Sequence, residues 1–429
     1  MQSCKKIDPD CATCPCPLCP RIETITPNHG RPGDTVLLKG VNFNEDPTLN
    51  LITFNDTLVL EILEGTTTEL KVVVPEGTST GPVKIKINDE VALSSDEIPD
   101  FNEPVFTLDH FVELVAGTPE FSGFSDGPTA TAQFTSLNKI AVDNLNKNIY
   151  TVSLNNLASK TIRKIDSVGV STIFTATSDT GLAYNLSLTD LTSSSTNKVY
   201  FVQNQSALFS TKIKFVNSSG VVNNLLSQTG SSLDNRIYGP HIFLDQDQAD
   251  IYYTEYHGYL SSTFPFPFIS EYSIYKRRLL IIGADPAINI ATFSSASAAP
   301  NVDMEYKNGY IYYFTGGSNS NRTLVKRKAE ANSTEILIKS NIVDAGGLAI
   351  DTKGQVFYST AHRIFKLNDQ GQEELIAGSF SVSNSGYNQN LETGLNSLFY
   401  NIKDIDFDRD NNLYIVDAGN YCIRRLKID

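Results

Sequence analysis

The chain repeats itself, and the last copy of the repeat is one strand short. From Asn401 to Asp429 it reads as three apolar runs, IKDIDFD, LYIVDA and CIRRLKID, bounded by Asp, Asn and Gly turn residues. The same order stands near residue 139 as KIAVDNLNKNIYTVSLNNLASKTIRKID. Matching this template along the chain gives six copies. Their first strands are KIAVD at 139–143, NLSLT at 185–189, HIFLD at 241–245, NVDME at 301–305, GLAID at 347–351 and DIDFD at 404–408. The second strands are NIYTVS, KVYFVQ, DIYYTE, YIYYFT, QVFYST and LYIVDA. Third strands run from TIRKID to CIRRLKI, and five copies have a fourth, such as STIFTA and EELIAG. VELVAG at 112–117, upstream of the first copy, matches ELIAG at 374–378 and supplies the strand that the sixth copy lacks.

Four-stranded units recurring every roughly 40–50 residues predict radially packed sheets. An N-terminal strand that completes the last sheet closes the ring and removes two exposed edges. The phrases VAGTPEFSGFSDGPTATAQFTSLNKIAVD and NLYIVDAGNYCIRRL resemble the NHL-repeat family, in the glycine-aspartate segment before strand one and in the entry to strand three. The resemblance is sharp in blades one, five and six and faint in the others. It implies a six-bladed β-propeller with velcro closure.

Before the repeat, RIETITPNHGRPGDTVLLKGVNF opens a run of short strands, continuing through LITFND, TLVLEIL, ELKVVVP and GPVKIKIND. Turn signals every eight to twelve residues or so predict a small β-sandwich. The opening resembles IPT/TIG immunoglobulin-like domains. The fold class is therefore all-β, an N-terminal Ig-like (IPT/TIG) β-sandwich followed by a six-bladed β-propeller. The expected plan is a tether at 1–19, the Ig-like domain at 20–93, a linker at 94–110 and the propeller at 111–429.

Five cysteines, Cys4, Cys11, Cys14, Cys16 and Cys19, crowd the first twenty residues. Met1-Gln2-Ser3-Cys4 resembles the end of a bacterial lipobox, and the KKIDPD that follows resembles the surface-export tether of Bacteroidetes lipoproteins. This implies lipidation of Cys4 and attachment to the outer membrane, facing outward. The spacing C-x-x-C-x-C-x-x-C also suits a metal, but the ligands are compressed around three prolines, which favours local disulfides or a stiff spacer. A net charge of −14 excludes nucleic acid and anionic membrane surfaces as partners.

Aligning the copies puts one residue per blade at the channel mouth: Lys139, Asn185, His241, Asn301, Gly347 and Asp404. Lys139 and Asp404, on neighbouring blades, are expected to pair. Blade three alone carries a long aromatic insertion between strands two and three, from Tyr253 to Tyr275. Its Tyr256, His257, Tyr259, Phe264, Phe266 and Tyr272 offer either a stacking platform or a packed lid. Some NHL propellers resemble amidating lyases that hold zinc with histidines at this mouth. Here His241, His257 and His362 lie on that face, but His362 stands where the family has a structural histidine. The calcium-like spacings in DFDRDNN and DQDQAD fall on turns that other blades build without a metal.

The reading is a non-catalytic surface lipoprotein without cofactor, binding an oligosaccharide or polysaccharide on the propeller face for uptake. The alternative is a protein-interaction module docking an outer-membrane transporter complex, and a metal-dependent lyase or hydrolase is a third class.

Overall fold

A computed structural model describes residues 20–428 other than 77, 79, 88–89, 92–102, 144–145, 156–158, 177–185, 195–197, 206–209, 218–219, 230–234, 246–249, 261–266, 279–286, 294–300, 317–320, 369, 380–384 and 389–391. The described residues fold as strands joined by turns and short 3-10 segments. They form two compact units that meet in sequence at His110 and Phe111.

The first unit is a β-sandwich. One sheet orders Arg21–Thr26, Thr35–Val41, Glu69–Val73 and Ile62–Gly65. The other orders His29–Gly30, Val105–Leu108, Gly81–Ile87, Asn50–Phe54 and Thr57–Leu58. Strict alternation along Thr35–Val41 turns Val36 and Leu38 inward, and Ile52, Phe54, Leu70, Val72 and Ile85 meet them. Gly40 follows in the same inward row. A Cβ there would stand 2.0 Å from the Arg21 carbonyl oxygen, so only glycine fits.

Val105–Leu108 lies in the stretch read from sequence as linker. It pairs antiparallel with Gly81–Ile87 and parallel with His29–Gly30. Phe106 is wholly buried there, edge-on to Phe54 at 5.1 Å. The acidic, proline-containing approach masks this strand, because only two of its residues face the core.

The second unit holds six sheets of at least four strands. Blade one is Leu137–Asp143, Asn148–Leu154, Lys160–Ile165 and Val170–Thr175, from the axis outward. The other inner strands are Leu186–Ser194, Asn235–Leu244, Asn301–Lys307, Leu348–Ile350 and Ile402–Phe407. Each inner strand touches the next, and the sixth touches the first, so the ring is closed. In blade six Phe111–Ala116 pairs antiparallel with Cys422–Lys427, filling the outer position as expected. Arg425 Nε donates to Glu113 Oε1 at 2.6 Å across this pairing.

A hydrophobic cluster fills every inter-blade interface. Second strands are sandwiched between blades on both faces, which is why they read as continuous apolar runs; Asn148–Leu154 is buried up to Ser153. Phe106→Ala is expected to destabilise the first unit by about 3–5 kcal/mol, read as a lowered thermal transition. A true linker residue would change it by less than about 0.5 kcal/mol.

Candidate functional site

Strand pairing defines which residue of each blade reaches the axis. Ile140, Leu191, Ile242, Met304, Leu348 and Ile405 stand opposite equivalent residues of the second strands, Thr151, Phe201, Tyr253, Tyr313, Tyr358 and Ile415. The residues just before them form the ring: Lys139, Asp190, His241, Asp303, Gly347 and Asp404. Sequence alignment had placed Asn185 and Asn301 where the register places Asp190 and Asp303. In these two blades an apolar residue stands early, Leu186 and Val302, and imitates Leu191 and Met304, so the apolar pattern matches ahead of the ring position. Asn185 and the side chains of Asp190 and Asn301 lie outside the described residues.

Lys139 is 5% exposed, and its ammonium sits between two carboxylates. Nζ donates to Asp303 Oδ1 at 2.7 Å and lies 3.6 Å from Asp404 Oδ1. It also donates to the Val302 carbonyl at 3.3 Å. Blade four stands three places from blade one in either direction, so this side chain spans the axis. Each carboxylate uses its other oxygen on the following blade: Leu348 N–H donates to Asp303 Oδ2 at 2.8 Å, and Ile140 N–H to Asp404 Oδ2 at 2.9 Å. The expected Lys139–Asp404 pairing is present, with Asp303 as the closer partner.

Two backbone features fit this arrangement. Val302 has φ 71°, a conformation costly for a β-branched residue, and its carbonyl is the one that Lys139 reaches. Gly347 has no room for a side chain: a Cβ would lie 2.6 Å from the Ile405 nitrogen. The ring therefore works as a set of staples between neighbouring blades. Asp406 adds another, accepting Val142 N–H at 2.7 Å across the blade six to blade one seam. Burial pushes its carboxyl up to about 7, against the pull of the Val142 and Phe407 N–H groups and with the help of the Asp303 and Asp408 charges.

His241 is buried in the same ring, its N–H donating to Thr254 Oγ1 at 3.2 Å. His362 is placed elsewhere, with Nδ1 3.2 Å from the Phe399 carbonyl and its ring stacked on Tyr400. The His257 side chain lies outside the described residues. Among the described residues no three His, Cys, Asp or Glu side chains are grouped to hold a metal. Asp408 Oδ1 accepts N–H bonds from Asp410 at 2.9 Å and Asn412 at 2.8 Å, closing the DFDRDNN turn.

The blade-three insertion continues the sheet. Asp250–Leu260 and Pro267–Arg278 stay paired from Asp250↔Arg278 to Leu260↔Pro267, with Tyr256↔Tyr272 and Tyr259↔Phe268 between. Asn235–Leu244 lengthens the same sheet, pairing Ile237 with Tyr256 and Arg236 with His257. Tyr272 packs against the core between blades three and four. The side chains of Tyr256 and Tyr259 lie outside the described residues, as do Phe264 and Phe266 altogether. Blade two is also tall, its inner strand holding nine residues where that of blade five holds three.

Residues 20–99 match the family model of the IPT/TIG domain. This stretch is an IPT/TIG domain. No curated protein matches the chain. Among solved structures, a Bacteroides thetaiotaomicron protein of unknown function is similar at TM-score 0.57 and 14% identity, covering 99% of this chain and 100% of its own. An auxiliary nutrient binding protein from the same organism is similar at TM-score 0.54 and 15% identity, covering 95% of this chain and 97% of its own. One from Bacteroides ovatus gives 0.53 and 16%, with the same coverage of 95% and 97%. At such identities the likeness establishes the fold. It extends over the IPT/TIG domain and the propeller alike.

Lys139→Met leaves Asp303 and Asp404 buried without their counter-charge and is expected to cost about 3–5 kcal/mol in urea denaturation. The triple variant with Asp303→Asn and Asp404→Asn should recover part of that loss. The Asp406 carboxyl, raised on folding from 3.8 to about 7, keeps its proton where the unfolded chain has lost it. Folding then takes up a proton, and stability falls as pH rises from about 4 through 7. Thermal melts should show a higher transition at pH 6 than at pH 8, with the difference reduced in Asp406→Asn.

Proposed function

We propose that the chain is a non-catalytic binding protein of the bacterial cell envelope, capturing a glycan on the propeller face that carries the loops between strands two and three. The observation that carries this reading is a fold shared over 95% of the chain with Bacteroides proteins described as auxiliary nutrient binding proteins. The axis supports it from another side. Lys139, Asp303 and Asp404 are buried and committed to one another and to neighbouring blades, so recognition falls to the rim. Blades two and three raise that rim, and the blade-three ribbon brings Tyr256, His257, Tyr259 and Phe268 to it in sequence.

Attachment through a lipid on Cys4, at the outer-membrane surface, belongs to the same proposal; that residue lies outside the described residues. No described helix is long and apolar enough to cross a membrane. The IPT/TIG domain then serves as a spacer between anchor and propeller. One observation favours a protein partner instead, such as an outer-membrane transporter. Glu335–Ile342 is the outer strand of blade four, and among the described residues it pairs only with Arg322–Lys328, with Ile336 and Leu337 exposed, which suits strand addition by a partner. A metal-dependent lyase or hydrolase would need converging histidines, and His362 is held against Phe399 and Tyr400 instead.

Affinity electrophoresis of the full chain across plant, host and microbial polysaccharides tests the proposal. Retardation by one glycan is expected, weakened roughly tenfold or more when Tyr256 and Tyr259 are changed to Ala. Unchanged mobility in every polysaccharide would sink the glycan reading, and capture of an outer-membrane protein would then favour the docking module.

A further inference from the structure

Phenylalanine and tyrosine are plentiful in this chain, yet among the described residues just two of these side chains are exposed, Phe121 and Tyr400. Both flank one short turn of blade six. That turn, Ala418–Asn420, joins strands two and three, so it lies on the same face as the blade-three ribbon. Tyr400 stands beside it, just ahead of the inner strand, and is 50% exposed. Its ring stacks on His362 of blade five, with centroids 6.0 Å apart and planes 14° from parallel. A Cβ at Gly419 would stand 2.3 Å from Tyr400 Cδ1, so glycine lets the turn close against the ring. Tyr400 N–H donates to Asp417 Oδ1 at 2.9 Å, and Gly419 N–H donates to the Tyr400 carbonyl at 2.7 Å.

Phe121 stands on the other side of the turn, between the closing strand and blade one, and is 64% exposed. Its neighbour Glu120 donates its N–H to the Asn420 carbonyl at 3.1 Å. Asn420 Nδ2 in turn donates to Asp417 Oδ2 at 2.9 Å and to the Gly386 carbonyl at 2.6 Å. Tyr421 ends the turn at φ 55°, a left-handed conformation that a bulky residue adopts at a cost. The two ring-bearing segments are therefore fixed to one strained, hydrogen-bonded turn, and binding there orders little that is not already ordered.

Two rings of roughly 150–250 Å² each, only partly exposed, fall well short of the about 800 Å² per partner of a stable protein interface. A sugar asks for less: a ring against its C–H face and polar groups around it for its hydroxyls. We propose that Tyr400 and Phe121 form a second sugar-binding platform and, resting on the glycan reading, that the captured polysaccharide lies across the mouth from blade three to blade six. Inner strands touch in ring order, so blade six stands three places from blade three in either direction. Lys139, Asp303 and Asp404 occupy the axis between them, committed to one another. A glycan held at both rims is recognised along an internal stretch, and two linked contacts favour the polymer over a short fragment.

The test is affinity electrophoresis of the full chain in soluble starch, xylan, mannan and chondroitin sulfate, followed by calorimetry with the retained polymer and with its disaccharide. The wild type should bind the polymer about a hundredfold or more tighter than the disaccharide. Tyr400→Ala combined with Phe121→Ala should cut polymer affinity about tenfold or more. Should Tyr400→Ala lower the thermal transition, Phe121→Ala alone removes a side chain that is mostly in solvent and is expected to weaken polymer binding in the same direction. A retained wild type with polymer binding unchanged in the variants would overturn the platform and leave the glycan reading standing. Equal affinity for polymer and disaccharide would overturn the span across the mouth. Unchanged mobility of the wild type in every polymer would remove the glycan reading and the platform together.

Discussion

The propeller is held at its axis by one lysine between two carboxylates. Six sheets packed radially bring six inner strands together around a central gap. Lys139 closes the gap from blade one, and Asp303 and Asp404 meet it from blades four and six. A buried ion pair is worth little when its desolvation is only partly repaid. Here the remaining lone pairs are used as well, because each carboxylate accepts an N–H from the next blade. The network thereby joins charge neutralisation to blade-to-blade stitching, with φ 71° at Val302 and the absent side chain at Gly347 as its backbone requirements.

That division of labour separates scaffold from surface. At the axis Lys139, Asp303 and Asp404 are buried and paired, and the inter-blade clusters make each interface a small hydrophobic core. What varies among blades is height. Blade five is reduced to strands of three to five residues, while blade three runs to twelve. A rigid ring with uneven rims is a suitable platform for recognition, because the variable parts sit on elements that are fixed below them.

Most of this fold was legible in the sequence, because second strands buried on both faces leave an apolar signature that repeats. The displaced closing strand was legible too, since VELVAG and ELIAG are near copies. The axial ring is legible at Lys139, His241, Gly347 and Asp404, while Asp303 lies two residues from the position the pattern suggests. An apolar residue two places early, Val302, imitates Met304 in that blade, and the sequence does not mark which of the two follows the ring position. A valine at positive φ gives no warning of itself either. Val105–Leu108 was hidden for a different reason, since four residues with two facing inward are too few for a pattern. The blade-three insertion was seen as an aromatic excess, but its continuation of the sheet depends on pairing between Asn235–Leu244 and Asp250–Leu260, which composition does not reveal.

The central claim is that a rigid axis carries a ligand-binding rim at blade three. Hydrogen exchange of the full chain, with and without a polysaccharide that it retains, addresses this directly. The account predicts slowed exchange in the ribbon formed by Asn235–Leu244, Asp250–Leu260 and Pro267–Arg278, with the axial strands unchanged. Slowing confined to the opposite face, at the turns around Asp143, Asp351 and Asp408, would contradict it.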